Sequence, residues 1–213
     1  IYRIDEDSSL CVKIFHVNRR EPKRFEKVSY MAAHQPKIPA YQQGIINLAW
    51  PRDVVVDKNG SFVGFTMNYT PKDDYLDVSN FFHSKDRFNA KATFTWADSL
   101  IVAFYVSATL TLIHDSGICV GDLKDTNIWV SKKDNSVGCL DCDSFQIANS
   151  SSGEIYYCSV MTPEYEPPEL ISINNLDGID RKFSDLFALG TLLFQLLMEG
   201  TKPYSATGKG VPG

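Results

Sequence analysis

The stretch of sequence that decides the fold is residues 121–130, which read GDLKDTNIWV. It places a carboxylate, Asp122, ahead of an amide, Asn127, with Lys124 between them, on a loop that leads into an apolar strand. Phosphoryl transfer uses these side-chain types: a carboxylate to orient a hydroxyl and accept its proton, a cation for the transferring group, and an amide oxygen for Mg²⁺. Taken alone, the stretch is also compatible with an ordinary polar turn.

The composition is that of an ordinary globular chain. Its 213 residues are 44% hydrophobic and 22% charged, which excludes the disordered, collagen-like and coiled-coil classes. The net charge of −5 provides no global basic field to hold nucleic acid or an anionic membrane. We therefore expect neither partner, and any phosphate chemistry must use local cations.

The cysteines favour a reducing compartment. There are five, an odd number without the density of a secreted disulfide scaffold. Cys139 and Cys142 form a C-x-x-C, but no second pair with zinc spacing follows, so buried strand cysteines are the favoured interpretation. The most apolar segment, residues 100–113, is interrupted by hydroxyl side chains and is shorter than the roughly 18 residues of a membrane span. We expect a cytoplasmic protein.

The first 70 residues predict strands around one helix. Residues 10–15 alternate in polarity, and residues 54–56 and 62–67 flank an Asn-Gly turn at Asn59, which predicts a hairpin. Residues 22–33 are rich in helix formers and begin with a proline suited to a first turn, so they predict a short helix. The pattern indicates a small antiparallel sheet with one inserted helix.

The remainder of the chain predicts a helical unit. Residues 94–114 have helical periodicity, and residues 184–198 are apolar nearly all round, as expected for a buried central helix. Residues 117–180 between them are polar and irregular, with two short strands. Chemistry is expected there, because loops held by rigid elements carry function. The sequence therefore predicts a small lobe over residues 1–70 and a larger one over residues 71–213.

The segment 121–130 resembles the catalytic loop of the protein-kinase superfamily, D-L-K-x-x-N, and other segments resemble further motifs of that family in the right order. The resemblance implies an α+β fold of two lobes with Mg-ATP in the cleft. It also implies that Asp122 orients the acceptor hydroxyl, that Lys124 stabilises the transferring phosphoryl group, and that Asn127 binds Mg²⁺.

A lysine in the first lobe fits the same family. Residues 11–15 look like the V-A-I-K strand, so the resemblance gives Lys13 the task of holding the nucleotide's phosphates. Glu26 lies 13 residues further on, on the predicted helix, and is expected to pair with Lys13. Glu21 is the weaker alternative, because it is too close in sequence to reach back.

Two aspartates end the second short strand of the irregular stretch. Asp141 follows the apolar residues of that strand, as the metal-binding Asp of the family's D-F-G motif does, whereas Asp143 begins an Asp-Ser-Phe that mimics the motif by letter. Asp141 is slightly favoured. Both aspartates beside Asn127 are candidates to share the metal, since hard divalent cations take oxygen ligands.

Two later segments indicate which class of kinase the chain resembles. Residues 162–170, which include Thr162 and Glu169, are similar to the substrate-side segment that ends in A-P-E. Residues 183–197 look like the family's central helix, where Asp185 supports the catalytic loop. Aminoglycoside phosphotransferases share a G-D-x-x-x-x-N loop but lack the Pro-Pro-Glu segment, so a protein kinase of the Ser/Thr branch is favoured. The resemblance also places the adenine-reading crossover between the lobes at Met67, Asn68, Tyr69 and Thr70.

The sequence departs from the family in three places. Gly121 stands where the family has the Arg that receives an activation-loop phosphate, so we expect activity that does not depend on phosphorylation of that loop. The Phe and Gly of D-F-G are absent. No G-x-G-x-x-G stands ahead of Lys13, where the family carries its glycine-rich loop, and the glycines of residues 208–213 lie at the opposite end of the chain. Both ends are expected to be incomplete, with the glycine-rich loop upstream of Ile1 and further helices behind.

The sequence thus predicts an ATP- and Mg²⁺-dependent phosphotransferase, in the first place a protein Ser/Thr kinase acting on a protein substrate. The alternatives are a nucleotide-binding pseudokinase or signalling scaffold, whose altered motifs mark lost catalysis, and a small-molecule kinase.

Overall fold

The first half of the chain forms an antiparallel sheet with one long helix. A computed structural model describes residues 1–204; residues 205–213, which contain the glycine-rich end of the chain, lie outside the described residues. The elements of this half are β1 (Tyr2–Arg3), β2 (Leu10–Ile14), α1 (Pro22–Ala33), α2 (Pro39–Gln42), β3 (Asn47–Leu48), β4 (Asp53–Val56) and β5 (Phe62–Asn68). Four strands form one antiparallel sheet in the order β1-β2-β5-β4.

The predicted hairpin and helix of this half are confirmed. β4 and β5 pair antiparallel around a turn in which Gly60 takes a φ of 81°, the left-handed conformation that glycine adopts at no steric cost. α1 starts at Pro22, whose missing N–H is not needed in a first turn. Val28 and Met31 are fully buried on its inner face, and the Trp50 indole donates to the Met31 carbonyl at 2.9 Å.

The second half is mainly helical with a second, small sheet. Its elements are β6 (Tyr75–Asp77), α3 (Ser84–Ala90), α4 (Trp96–Asp115), β7 (Ile128–Ser131), β8 (Val137–Cys139), β9 (Ile147–Ala148), β10 (Ile155–Tyr156), α5 (Pro168–Ile171) and α6 (Lys182–Leu197). The sheet has the order β3-β8-β7-β6, and β9 pairs with β10. The fold is therefore α+β, with two lobes.

The two long helices hold the second lobe together. A capping box between Thr95 and Asp98 starts α4, which satisfies backbone N–H groups that the first turn leaves free. By length and composition α4 is apolar enough to cross a membrane, but it packs against α6 and β8 and buries residues such as Val102, Val106 and Ile113. A helix of a protein core meets the same criteria of length and apolar composition.

One strand pairing joins the two halves. β3 pairs in parallel with β8, Asn47 facing Gly138, so a segment of the first 70 residues belongs to the second sheet. A single hydrophobic core continues through both halves, from Phe65 to Leu192. The position of the lobe boundary after Thr70 stays a prediction.

Candidate active site

The loop before β7 gathers a carboxylate, an ammonium group and a hydroxyl. Asp122 is 6% exposed. One of its carboxylate oxygens accepts from Lys124 Nζ at 2.7 Å, and the other accepts from Thr162 Oγ1 at 2.7 Å. Lys124 Nζ also donates to Thr162 Oγ1 at 3.1 Å. The three side chains form a closed triangle, which fixes the orientation of the carboxylate.

Asn127 is oriented from within the same loop. Its Nδ2 donates to the Asp122 carbonyl at 3.0 Å, and the side chain is buried. Because this bond uses the amide nitrogen, the amide oxygen is the atom left for a cation. The Leu140 N–H donates to the Asn127 carbonyl at 2.9 Å, which holds the loop next to the residue before Asp141.

Lys13 projects from β2 to the two aspartates that follow β8. Its Nζ lies 3.1 Å from Asp141 Oδ1 and 2.7 Å from Asp143 Oδ1. Burial lowers the pKa of Lys13, but the two carboxylates outweigh that effect and the net pKa is raised. The lysine is therefore held as a cation between two acidic groups, at the end of the strand where the sequence placed the metal-binding aspartate.

The two aspartates differ in conformation and exposure. Asp141 has a φ of 51°, a left-handed backbone that is uncommon for a residue with a side chain, and its side chain is 52% exposed. Asp143 has a side chain only 4% exposed, and its second oxygen lies 4.0 Å from an Arg24 nitrogen. Asp141, Asp143 and Asn127 offer hard oxygen donors, and such donors suit Mg²⁺.

The predicted pair between Lys13 and Glu26 is wrong. Glu26 is exposed, and within residues 1–204 Lys13 makes ion pairs with Asp141 and Asp143 only. The reason is helical geometry: the buried face of α1 carries Lys27, Val28 and Met31. Glu26 is about 200° around the helix from Val28, because each residue turns about 100°. The alternative, Glu21, is also exposed and makes no pair with Lys13.

Replacing Lys13 tests its part in nucleotide binding. Lys13→Met should weaken Mg-ATP binding by about 10- to 100-fold, because a charge-assisted hydrogen bond contributes about 1.5–3 kcal/mol. Glu26→Gln should leave the dissociation constant within about twofold of the parent chain. Isothermal titration calorimetry measures both dissociation constants. An equal loss of affinity in the two variants would indicate that Glu26 does pair with Lys13.

Asp185 fixes the backbone of the loop that carries Asp122. Its carboxylate accepts from the Val120 N–H at 2.8 Å and the Gly121 N–H at 2.7 Å, and lies 2.9 Å from His114 Nε2. The side chain is 1% exposed. We expected Asp185, in the first turn of α6, to support the loop, and its carboxylate indeed fixes the two backbone amides directly before Asp122.

Sequence reasoning missed a buried arginine behind the loop. Arg181 is fully buried and its guanidinium donates to the Gly121 carbonyl, to Glu166 and, at 3.4 Å, to the Val160 carbonyl. Its Nε donates to Ser184 Oγ at 3.1 Å. Burial raises the pKa of Glu166 to about 7, against the opposite effect of the Arg181 charge. One side chain thus joins the loop, the segment around Val160 and the start of α6.

Gly121 is required at its position. Its φ is +78°, and an added Cβ would lie 2.5 Å from Cys158 Cβ and 2.7 Å from Cys158 Sγ. A side chain at residue 121 therefore meets both an unfavourable backbone and a filled space. Arg181 donates to the Gly121 carbonyl, so a guanidinium is present at this point of the loop although residue 121 carries none.

Gly121→Ala should lower the free energy of unfolding by about 2–4 kcal/mol. About 1–2 kcal/mol comes from the left-handed backbone, and overpacking adds about 1–2 kcal/mol, within the usual range for an inserted methyl group. Gly117→Ala is the matched control, since Gly117 has nearly the same φ of +77° but open space around it. Urea unfolding of both variants separates the two costs, and equal destabilisation would show that Cys158 is no obstacle.

The remaining predicted residues occupy two places. Met67 and Asn68 are the last two residues of β5, at the start of the predicted crossover. The N–H of the next residue, Tyr69, donates to the Ser9 carbonyl at 2.8 Å and so is not free for a ligand. Thr70 Oγ1 accepts from Asn47 Nδ2 at 3.1 Å. Glu169, by contrast, is exposed and makes no ion pair among the described residues.

The chain is similar in sequence and in fold to known proteins. A family profile described as "Protein kinase domain" matches residues 41–210. The chain belongs to the protein kinase superfamily. It is 30% identical over 215 residues to "Protein kinase YegI" of Escherichia coli strain K12, covering 100% of this chain and 31% of that protein. The chain thus spans about a third of that relative's length.

A further sequence relative and a solved structure match different shares of the chain. The "Meiosis-specific serine/threonine-protein kinase mek1" of Schizosaccharomyces pombe is 27% identical over 118 residues, 52% of this chain and 26% of its own length. Among solved structures, the Cydia pomonella granulovirus kinase PK-1 aligns with a TM-score of 0.58 at 17% identity, covering 97% of this chain and 70% of that one. The structural match supports the two-lobed kinase fold.

Proposed function

We propose that the chain is a phosphotransferase that uses ATP and Mg²⁺ to phosphorylate serine or threonine hydroxyls of a protein. The observation that carries this proposal is the triangle of Asp122, Lys124 and Thr162, with Asp122 held by both of its oxygens. Membership of the kinase family supports phosphoryl transfer in general. The pairing of Lys124 with Thr162, which resembles the Ser/Thr branch, supports the finer assignment.

The residues divide the work of phosphoryl transfer between them. Asp122 accepts a hydrogen bond from the acceptor hydroxyl and takes its proton as that oxygen bonds to the γ-phosphorus of ATP. The bond between this phosphorus and the bridging oxygen breaks at the same time, and ADP leaves. Lys124, on the same carboxylate, neutralises charge on the transferring group. Lys13 binds nucleotide phosphates. Asn127, Asp141 and Asp143 would hold Mg²⁺, which supplies charge neutralisation on the phosphates when bound.

The cysteines support a cytoplasmic location for this activity. All five are free thiols in the structure, and four of them are buried. Burial raises the pKa of Cys139 to about 12, so that thiol is held in its unreactive neutral form. A reducing compartment is consistent with this state, and we propose the cytoplasm.

Transfer of radiolabelled phosphate from ATP tests the proposal. We expect label on a generic protein substrate at serine or threonine, only in the presence of Mg²⁺. Label that appears on members of a metabolite panel and on no protein would select the small-molecule kinase. Mg-ATP binding, followed by thermal shift, without any transfer would overturn the proposal in favour of a nucleotide-binding pseudokinase.

A further inference from the structure

The inward face of α1 carries cations and no carboxylate. Its residues have the spacing of one helical face: Arg24, Lys27, Val28 and Met31. Arg24 and Lys27 line the same cavity as Asp143, beside the turn that follows β8. Lys13 approaches that turn from β2, and its side chain is only 22% exposed. A cation in this place needs a counter-charge that α1 does not supply.

Asp143 lies where these cations meet. Its Oδ1 lies 2.7 Å from Lys13 Nζ, and its Oδ2 faces an Arg24 nitrogen at 4.0 Å. The side chain is 4% exposed, so water screens these charges little. One carboxylate therefore balances cations from two elements, β2 and α1. A metal ion on Asp143 would compete with these cations for the same oxygens and would be repelled by them.

Asp141 has different surroundings, although it lies only two residues away. Its side chain is 52% exposed, and within residues 1–204 only one of its oxygens has a hydrogen-bond partner, Lys13 Nζ at 3.1 Å. The Asp141 carbonyl accepts from the N–H of Ser144 at 2.9 Å and from its Oγ at 2.8 Å, which fixes the turn that carries both carboxylates. Asp141 thus keeps an accessible oxygen for a ligand, whereas Asp143 does not.

The Phe15 ring restricts both cations that face Asp143. Lys13 Nζ lies 5.8 Å from the ring centroid, and the Arg24 guanidinium carbon lies 5.1 Å from it. Cations at these distances are attracted by the face of an aromatic ring. The two side chains are therefore held next to the same ring, on the two sides of one carboxylate.

We propose that Asp143 is the positioning residue for Lys13, in the place that Glu26 was expected to fill. Asp143 acts through Lys13: it holds the ammonium group where nucleotide phosphates bind, and Arg24 and Lys27 of α1 hold Asp143 in turn. The helix thus influences Lys13 through its cations, by way of a carboxylate on the turn after β8.

The same assignment divides the three oxygen donors named for Mg²⁺. Asp141 and Asn127 are left to hold the ion, and Asp143 is engaged by the cations around it. This inference rests on the proposed function for the nucleotide, and it narrows the proposed metal ligands from three side chains to two. The pairing of Lys13 with Asp143 is itself testable in the chain without nucleotide.

Calorimetry of ATP binding in EDTA and in Mg²⁺ separates the two aspartates. Asp143→Asn should weaken metal-free binding by about fivefold or more, because Lys13 loses the group that orients it. The Asp143 charge is already compensated by its cations, so removing it relieves little repulsion of the phosphates. The gain in affinity that Mg²⁺ gives to the parent chain should remain in Asp143→Asn.

Asp141→Asn should show the opposite pattern. Metal-free binding should not weaken, because an exposed carboxylate that repels phosphates is removed, and the gain from Mg²⁺ should be lost. Asp86→Asn, the same change at an exposed position of α3, should alter neither quantity. Loss of the Mg²⁺ gain in Asp143→Asn, or metal-free binding as tight as that of the parent chain, would overturn the proposal.

Urea unfolding without nucleotide tests the pair on its own. Lys13→Met and Asp143→Asn should each lower the unfolding midpoint, and the double variant should lose less than the sum of the two shifts. The same cycle with Asp141→Asn should be additive, because Asp141 is exposed. Additive shifts for Lys13 and Asp143 would refute the pair whether or not the chain binds ATP. A coupled pair in a chain that binds no ATP would refute the proposed function and leave the pair standing.

Arg24→Gln provides a second variant if circular dichroism shows that Asp143→Asn does not fold. Without the Arg24 charge, one oxygen of Asp143 loses its cation. Metal-free ATP binding should then weaken by about twofold or more, with the gain from Mg²⁺ intact. In that case, an unchanged metal-free affinity in folded Arg24→Gln would overturn the proposal.

Discussion

Asp122→Asn should reduce the rate of phosphate transfer by about 10²–10⁴-fold and leave Mg-ATP binding almost unchanged. Removal of a general base costs a factor of this size, because the acceptor hydroxyl then has no group to take its proton. Asparagine has the same shape, and its Oδ1 still accepts from Lys124. The loop itself is held from Asp185 and does not depend on the Asp122 charge. The lost rate is therefore expected in kcat.

A matched control exists in the same loop. Asp125→Asn makes the same chemical change three residues further on, where the carboxylate accepts only from the Thr126 N–H at 2.9 Å among the described residues. Turnover measured by release of ADP should stay within about twofold of the parent chain. If Asp122→Asn also retains its turnover, or if Asp125→Asn loses as much, Asp122 is not the base.

The elements predicted from sequence are those whose signals are local. The Asn-Gly turn and the proline at the start of α1 constrain the backbone within a few residues, and both strands and the helix formed where those signals placed them. The contact between Asp122 and Lys124 is local in the same sense. Spacing in the sequence is enough when the interacting groups lie on one turn or one loop.

Contacts between segments that are distant in sequence depend on which face a helix turns inward and on what packs against it. The partner of Lys13 depended on which face α1 turns to the site, and the apolar residues Val28 and Met31, three residues apart, did indicate that face. Glu26 lies on the opposite side of the helix from that apolar face. Arg181 offered no such signal, since an arginine before a helix is ordinarily exposed, and its buried partners, Glu166 and the Gly121 carbonyl, lie 15 and 60 residues away in sequence.

Arg181→Met should lower the free energy of unfolding by about 3–5 kcal/mol. Breaking a buried ion pair from one side leaves the other charge without compensation, and here Glu166 is 5% exposed. The Gly121 and Val160 carbonyls also lose a donor. Lys202→Met is the control for loss of a cation, because its partner Glu164 and Lys202 itself are more than half exposed and such pairs contribute about 0–1 kcal/mol.

The cost of Arg181→Met should also depend on pH. The pKa of Glu166 is about 7 in the folded chain and lies near 4.5 when the chain unfolds, so the folded state holds the proton more tightly and stability falls as pH rises through that window. Without the Arg181 charge the pKa of Glu166 in the folded chain rises further, so the loss of stability with rising pH continues to higher pH. Urea unfolding at pH 5 and pH 8 should show the larger difference between variant and parent at pH 8.

The double variant decides whether the pair itself carries the effect. Arg181→Met with Glu166→Gln has no buried charge to leave uncompensated, so it should recover part of the lost stability and show little of the added pH dependence. The unpaired carbonyls of Gly121 and Val160 account for the remainder. If the double variant is as unstable as Arg181→Met at pH 8, Arg181 stabilises the loop through those carbonyls alone, and its ion pair with Glu166 does not contribute to stability.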